Sequence, residues 1–267
     1  MSDTKLSADE VRNMVRDRYG AIAAKAVADA AGKSSCCCGE PAAAERKSRE
    51  MGYSAEQLAL VPEEANLGLG CGNPQALAAM RRGEVVVDLG SGAGFDCLLA
   101  ARAVGPEGHV IGVDMTPEML ARARGNAAKV GAANVEFRLG EIEHLPLADA
   151  SADVVISNCV VNLVPDKAQV FREAFRVLRP GGRVAISDVV NIAPLPAELK
   201  SDPQLLCGCV SGAVPAGEVR TLLAAAGFVD IGVEIRPGSR DLVAEWAPGR
   251  GVENCVASAM VSARKPA

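Results

Sequence analysis

Histidine is nearly missing from this chain: its 267 residues include two, His109 and His144. His109 opens a β-like run and His144 precedes Leu-Pro, so both read as structural or solvated, and a zinc centre built on imidazole has nothing to draw on. No run of Lys and Arg occurs either, and 28 basic against 33 acidic residues give a net charge of -5. That excludes the electrostatic footprint of a nucleic-acid or anionic-membrane binder. No apolar run approaches the ~20 residues that cross a bilayer, and the polar opening MSDTKLSADE lacks the apolar centre of a secretory signal, so a cytoplasmic protein is expected. No internal repeat is present. What the chain does have is 49% hydrophobic residues, enough to fill one large domain or a domain with a lid. It also has nine cysteines. In a reducing compartment that odd number suggests thiol chemistry or metal ligation more than a disulfide framework.

Ser7 and Glu10 have the spacing of a capping box, and Val11, Met14, Val15, Tyr19 and Ile22 recur at helical intervals, which predicts a helix over about 8–30. The stretch AGKSSCCCGEPAAAERKSREMGYS is short of large apolar residues and reads as a loop or mobile segment carrying Cys36, Cys37 and Cys38. From residue 85 the pattern changes. VVVDLG, HVIGVDM, VEFRL, DVVISN and RVAISDVV are short β-branched runs, separated by helical stretches at 94–104, 117–130 and 167–178. Such alternation implies right-handed βαβ units and a doubly wound parallel sheet. Pro194, Pro196 and Pro203 interrupt it over 191–214, which predicts an insertion above the crevice. A helix near 216–226 and strands near 228–236 and 252–264 then close the sheet as an antiparallel edge.

VVVDLGSGAGFD, residues 85–96, carries the cofactor signal. Gly90, Ser91, Gly92 and Gly94 follow a strand and open a helix, so backbone can approach a ligand while helix N-terminal amides face it. No Lys-Ser/Thr pair follows, which argues against an ATP phosphate loop. Asp114 ends the next run, placed to accept hydrogen bonds from both hydroxyls of a ribose, and that spacing fits NAD and S-adenosylmethionine equally. Asp88 before the glycines, the acidic residue and Leu-Pro turn of GEIEHLPLADASADVVISN, and the Pro-Gly-Gly turn of LRPGGRVAISD together resemble the class I S-adenosylmethionine-dependent methyltransferases over about 80–190. The Tyr/Lys pairing of short-chain NAD enzymes is also missing. The resemblance implies a Rossmann-like α/β fold with a mainly parallel seven-stranded sheet, helices on both faces, an N-terminal helical segment and an insertion after strand 5. It further implies that Asp114 holds the ribose, with Met115 beside the adenine and Glu141 and Ile142 at its edge. Asp88 would orient the glycine turn and the methionine moiety, and Asn158 would lie near the transferring methyl. The plain alternative for Met115 and Ile142 is core packing.

Past strand four, nitrogen methyltransferases often keep an Asn/Asp-Pro-Pro-aromatic element; here Cys159 stands instead. Cys71 lies between glycines just before the sheet begins, and Cys207 and Cys209 fall in the insertion. Any one cysteine is by default a small core hydrophobe. Three separate loops delivering thiols to one face of a sheet suit a soft ion, and three sulfurs without histidine suit a pyramidal trivalent ion such as arsenic. Cys97, inside a helix, and Cys255, in an expected strand, read as core. Cys207 is an alternative to Cys209.

LGLGCGNP, DLGSGAGFDCLLAARAVGPEGHVIGVDMTPEML, GEIEHLPLADASADVVISNCVVNL and REAFRVLRPGGRVAISDVV together resemble bacterial arsenite S-adenosylmethionine methyltransferase over about 10–265. The resemblance implies that Cys71, Cys159 and Cys209 handle arsenic, with an accessory thiol among Cys36, Cys37 and Cys38. It divides the chain into 1–69, a helix and mobile cysteine segment, and 70–267, the methyltransferase domain with a cap near 191–218. The additional C-terminal region of longer members is not expected here. Arsenite would arrive as a thiol adduct and be methylated for detoxification, and a thiol reductant, thioredoxin or glutathione, would reset the enzyme. A class I methyltransferase of an organic small molecule and a non-catalytic soft-metal binding protein are the two other readings.

Overall fold

The β-branched runs become strands of a single sheet in a computed structural model, which describes residues 6–31 and 40–267. In chain order they are β1 (Val85–Leu89), β2 (His109–Asp114), β3 (Val135–Leu139), β4 (Ala152–Asn158), β5 (Leu178–Asn191), β6 (Val214–Pro215), β7 (Val229–Ile235) and β8 (Val256–Arg264). The sheet runs β3-β2-β1-β4-β5-β8-β7, and the two-residue β6 pairs beside the end of β5. β1 to β5 are parallel, and β8 lies antiparallel between β5 and β7, which is the antiparallel edge the sequence predicts.

Position in the sheet explains the sequence patterns. β1 and β4 are central, covered on both faces, and so read as continuous apolar runs; β3 is an edge and alternates, with Phe137 its one buried residue. Successive strand residues serve opposite faces. Val87, Val155 and Ile186 pack against Phe171 and Val177 of α7 (Lys167–Val177) and Leu223 of α10 (Ala216–Ala226). Val86, Ile156 and Ala185 pack against Leu98 and Val104 of α5 (Phe95–Val104) and Leu120 of α6 (Pro117–Lys129), and Met51, Tyr53, Val61 and Ala65 join that same cluster.

A third apolar cluster caps the carboxyl ends of the strands. It joins Val15 of α1 (Ala8–Ala31) to Leu199, Leu205 and Val210 of the insertion and to Val243 of α11 (Ser239–Ala244). The insertion contains two short helices, α8 (Ala197–Lys200) and α9 (Pro203–Leu206). The remaining helices are α2 (Glu40–Glu50), α3 (Ala55–Ala59) and α4 (Pro74–Ala78).

Three expectations are corrected. The loop expected over 31–54 contains α2, because Ala, Glu, Lys and Arg are strong helix formers and Glu45–Arg49 and Arg46–Glu50 pair at i,i+4. Cys36, Cys37 and Cys38 lie outside the described residues. β5 starts at Leu178, ahead of the Pro-Gly-Gly turn: Leu178 pairs with Ala152, the Pro180–Gly182 stretch bulges, and pairing resumes between Arg183 and Val154. At the other end, residues 252–254 form a helical turn, and the Cys255 carbonyl accepts the Ile192 and Ala193 N–H groups, so β8 begins at Val256. Among the described residues no helix is long and apolar enough to cross a membrane.

Candidate active site

A cavity of about 400 Å³ opens at the carboxyl ends of β1, β2 and β4, where the strand order reverses between β1 and β4. The turn after β1 forms its floor. Gly90, Gly92 and Gly94 all have left-handed backbone, with φ of 71°, 51° and 87°. At Gly90 a side chain would be strained and would also collide with Val160, 2.5 Å from the position of a Cβ. The Asp114 carboxylate at the end of β2 accepts the Gly92 N–H at 2.9 Å and the Thr116 N–H at 2.8 Å, which aims it along the floor. Ser91 Oγ is buried there with no hydrogen-bond partner among the described residues. Met115, Ile142 and Glu143 line the same end, and Arg12, Val15, Tyr19 and Ile22 of α1 cover it.

Two buried carboxyls, Asp88 and Asp96, lie at the other end. Burial holds both above the usual carboxylate range, and for Asp88 the nearby charge of Asp96 adds to the effect. Tyr53 donates to Asp96 at 2.8 Å, and Cys97 Sγ donates to Asp88 at 3.2 Å. Asn158, the last residue of β4, connects this end to the thiols. Its Nδ2 donates to Tyr53 Oη at 3.0 Å and to the Gly72 carbonyl at 2.9 Å, while its Oδ1 accepts the Cys71 N–H at 3.0 Å.

The Gly-Cys-Gly-Asn-Pro motif is a device for holding Cys71. Asn73 caps α4 by accepting the Ala76 N–H, and Pro74 starts that helix, so the chain enters it in one way. Ser258 Oγ donates to the Cys71 carbonyl at 2.6 Å, and Ser187 Oγ sits 3.5 Å from Cys71 Sγ. Cys71, Cys159 and Asp188 bring their donor atoms within 4.8 Å of one another. Cys159 is also in hydrogen-bonding contact with Cys209, whose Sγ donates to the Cys159 carbonyl at 2.8 Å. Cys71 and Cys209 are buried and Cys159 is partly exposed to the cavity.

Cys159 and Cys209 have φ of 59° and 63°. For a residue with a Cβ, left-handed backbone costs about 1–2 kcal/mol and persists where the surroundings over-determine it. Burial pushes the Cys71 thiol well up and the Cys209 thiol up to about 11; contact with Cys209 is the main cause at Cys159. The thiols therefore rest protonated at neutral pH. Asp188, raised by burial to about 6, is anchored by Asn162 Nδ2 and its own neighbour Val189 N–H, both at 2.8 Å.

Of the residues the sequence singles out, Asp88, Gly90, Ser91, Gly92, Asp114, Met115, Ile142, Asn158, Cys159 and Cys209 line the cavity. Cys71 sits immediately behind Asn158, and Gly94 is the N-cap of α5. Glu141 does not line the cavity: Arg12 at 3.3 Å and Arg16 at 3.6 Å draw its carboxylate to α1. Cys207 also lines the cavity, and its carbonyl accepts the Tyr19 hydroxyl at 3.2 Å. Cys255 is core, and Cys97 is core with the added bond to Asp88. His109 lies 3.5 Å from Glu136 on the exposed surface, and His144 is exposed. Tyr53, Asp96, Asp188 and Ser187 were not singled out. Their partners are remote in the chain, as with Cys71 and Ser187, 116 residues apart.

Residues 80–227 match the family model of a methyltransferase domain. Arsenite methyltransferase of Halobacterium salinarum is 53% identical over 266 residues, covering 97% of this chain and 68% of that protein. The arsenite methyltransferase of Aquipseudomonas alcaligenes is 46% identical over 63% of this chain, which spans 50% of that relative. Among solved structures, an arsenic(III) S-adenosylmethionine methyltransferase from Chlamydomonas reinhardtii aligns with a TM-score of 0.61 at 35% identity, covering 84% of this chain and 73% of that one. Phosphoethanolamine N-methyltransferase 2 of Haemonchus contortus, in complex with S-adenosyl-L-methionine, shares the fold with a TM-score of 0.62 at 21% identity.

Proposed function

Since the chain belongs to the methyltransferase domain family and, within it, to the arsenite methyltransferases, we propose that Cys71, Cys159 and Cys209 hold trivalent arsenic and present it to the methyl group of S-adenosylmethionine. The observation that carries this reading is the meeting of three thiols from three distant loops beside Asn158, at the rim of the glycine-turn cavity.

The residues present fit S-adenosylmethionine as co-substrate. Asp114 suits a ribose diol, the unpartnered Ser91 Oγ awaits a polar group, and the Asp88 and Asp96 carboxyls suit a cationic end. When bound, it supplies an electrophilic methyl on a positively charged sulfur. Everything else falls to the chain. Arsenite delivered as a thiol adduct exchanges onto Cys159, Cys209 and Cys71. Each arsenic–sulfur bond to the carrier breaks as one to the enzyme forms, and the cysteine proton leaves with the carrier thiol, which suits thiols that rest protonated. Three thiolates leave arsenic its lone pair, so no general base is needed. Asn158 positions the nucleophile, because one side chain grips the Cys71 loop and borders the donor pocket. Holding the reacting atoms near ~3–3.5 Å avoids the entropy of encounter.

Methyl transfer oxidises arsenic formally by two electrons, and two thiols oxidised to a disulfide return it to the trivalent state. A cytoplasmic reductant such as thioredoxin or glutathione then resets the enzyme. The six described cysteines are free thiols.

Single Cys→Ser exchanges at 71, 159 and 209 test the reading. Each should abolish formation of methylated arsenic, followed by chromatography with arsenic detection, while calorimetry finds S-adenosylmethionine binding retained. Full activity of Cys159→Ser would dismiss it.

A further inference from the structure

Cys71, Cys159 and Asp188 form a donor set distinct from the three-sulfur one. Their Sγ, Sγ and carboxylate oxygen lie within 4.8 Å of one another, while Cys209 Sγ turns to the Cys159 carbonyl. We propose that Cys71, Cys159 and Asp188 bind a thiophilic divalent cation such as zinc or cadmium, which competes for the sulfurs that arsenic would use.

Two thiolates and a carboxylate with a fourth, open position are a coordination that such ions accept. An ion ~2.3 Å from each sulfur and ~2.0 Å from the oxygen in tetrahedral geometry spans donors ~3.5–3.8 Å apart, so the donors need to close in by roughly 1.3 Å at most. Asp188 is supported as ligating carboxylates are, by Asn162 Nδ2 and the Val189 N–H at 2.8 Å and the Asn162 N–H at 3.2 Å. Binding breaks two S–H bonds, forms two metal–sulfur bonds and one metal–oxygen bond, and passes two protons to solvent with no change of oxidation state. Water takes the fourth position. The third donor separates the two occupants: Cys209 completes a pyramidal three-sulfur site for trivalent arsenic, and Asp188 completes a mixed site for a tetrahedral cation. The cation site stands on donor-atom positions alone; only the competition with arsenic rests on the arsenite reading.

Cobalt(II) tests it in the reduced full-length chain with Cys36, Cys37 and Cys38 replaced by Ser, which removes the other thiol cluster. One equivalent should produce thiolate-to-cobalt charge-transfer absorption and tetrahedral d–d bands, and one equivalent of zinc should erase them. Cys71→Ser and Cys159→Ser should lose the bands, and Cys209→Ser should keep them. Asp188→Asn should weaken binding by roughly tenfold or more, since even an outer-shell partner is worth roughly 10–100-fold. Circular dichroism checks that each variant folds. If Asp188→Asn does not fold, Asp188→Glu decides, with its d–d bands shifted while charge transfer persists. The proposal is overturned if the parent gives no thiolate bands, or if Cys209→Ser abolishes them. It is equally overturned if a folded Asp188→Asn binds as the parent does, or if Asp188→Glu leaves the d–d bands unmoved. No step requires arsenite turnover, so failure of the methylation reading leaves these outcomes intact.

Discussion

Gly72→Ala isolates the placement of Cys71 without touching a sulfur. The backbone at Gly72 is not left-handed, so an added methyl acts only through the space it needs. That space is taken: a Cβ would fall 2.2 Å from Ser187 Oγ, 3.2 Å from Ser187 Cβ and 3.5 Å from Met260 Sδ. Ordinary contact begins near 3.4 Å, so the two sides must part by 3.4 − 2.2 = 1.2 Å, or Ser187 must turn its hydroxyl away from Cys71 Sγ. The first response moves the Cys71 thiol relative to Cys159, and the second takes the Ser187 hydroxyl from it. Overpacking of this kind costs about 1–3 kcal/mol, which in a chain of this size lowers Tm by ~2–4 °C per kcal/mol. A 1 Å misplacement at a reacting group costs on the order of 10²-fold in rate. Gly72→Ala should therefore melt earlier in calorimetry and lose about two orders of magnitude in arsenite methylation. Ser187→Ala in the same chain removes the 2.2 Å clash and leaves the 3.2 Å one, so the double variant should regain most of the stability. Methylation should recover only in part, because the Ser187 hydroxyl no longer contacts Cys71. Wild-type stability and turnover in Gly72→Ala, or a double variant no more stable than the single, would refute the reasoning.

The raised Asp88 and Asp96 carboxyls predict proton release when a cationic donor binds: its charge favours their ionised forms, so affinity for S-adenosylmethionine should rise with pH through their titration range. Calorimetry in buffers of different ionisation enthalpy measures this directly, and proton uptake or a pH-independent Kd would contradict it. At the opposite end of the cavity, Arg12 on α1 meets the buried Glu143 at 3.1 Å and Glu141 at 3.3 Å. Arg12→Ala should loosen α1, at a cost of about 1–3 kcal/mol for leaving a buried group unpaired. Amide exchange over 8–31 should quicken and KM for S-adenosylmethionine should rise; unchanged exchange would show that the pairs do not hold the helix down.

The sheet was largely legible because its central strands are covered on both faces, which leaves continuous β-branched runs such as VVVDL and VVISN. Cys159 and Cys209 stood out by place, one just past strand four and one in the insertion, and both line the cavity. The α2 helix was not, because Ala and charged residues lack an apolar stripe and resemble a linker. Periodicity also cannot report pairing across the chain. Glu141 has the sequence context of an adenine contact, yet arginines about 130 residues earlier hold it. Cys97 has the context of core packing and carries a hydrogen bond to Asp88 as well. Asp188 is one aspartate inside the strand RVAISDVVN until the Cys71 loop folds against it.

The left-handed backbone at Cys159 and Cys209 biases what these two positions would hold if their thiols had no use. Glycine adopts that conformation freely, so replacing either cysteine with it would relieve roughly 1 kcal/mol of strain. At Cys209 the loss of a side chain buried in the cap cluster would offset that relief, whereas the half-buried Cys159 would lose less packing. A thiol kept at position 159 against that bias needs a use other than stability.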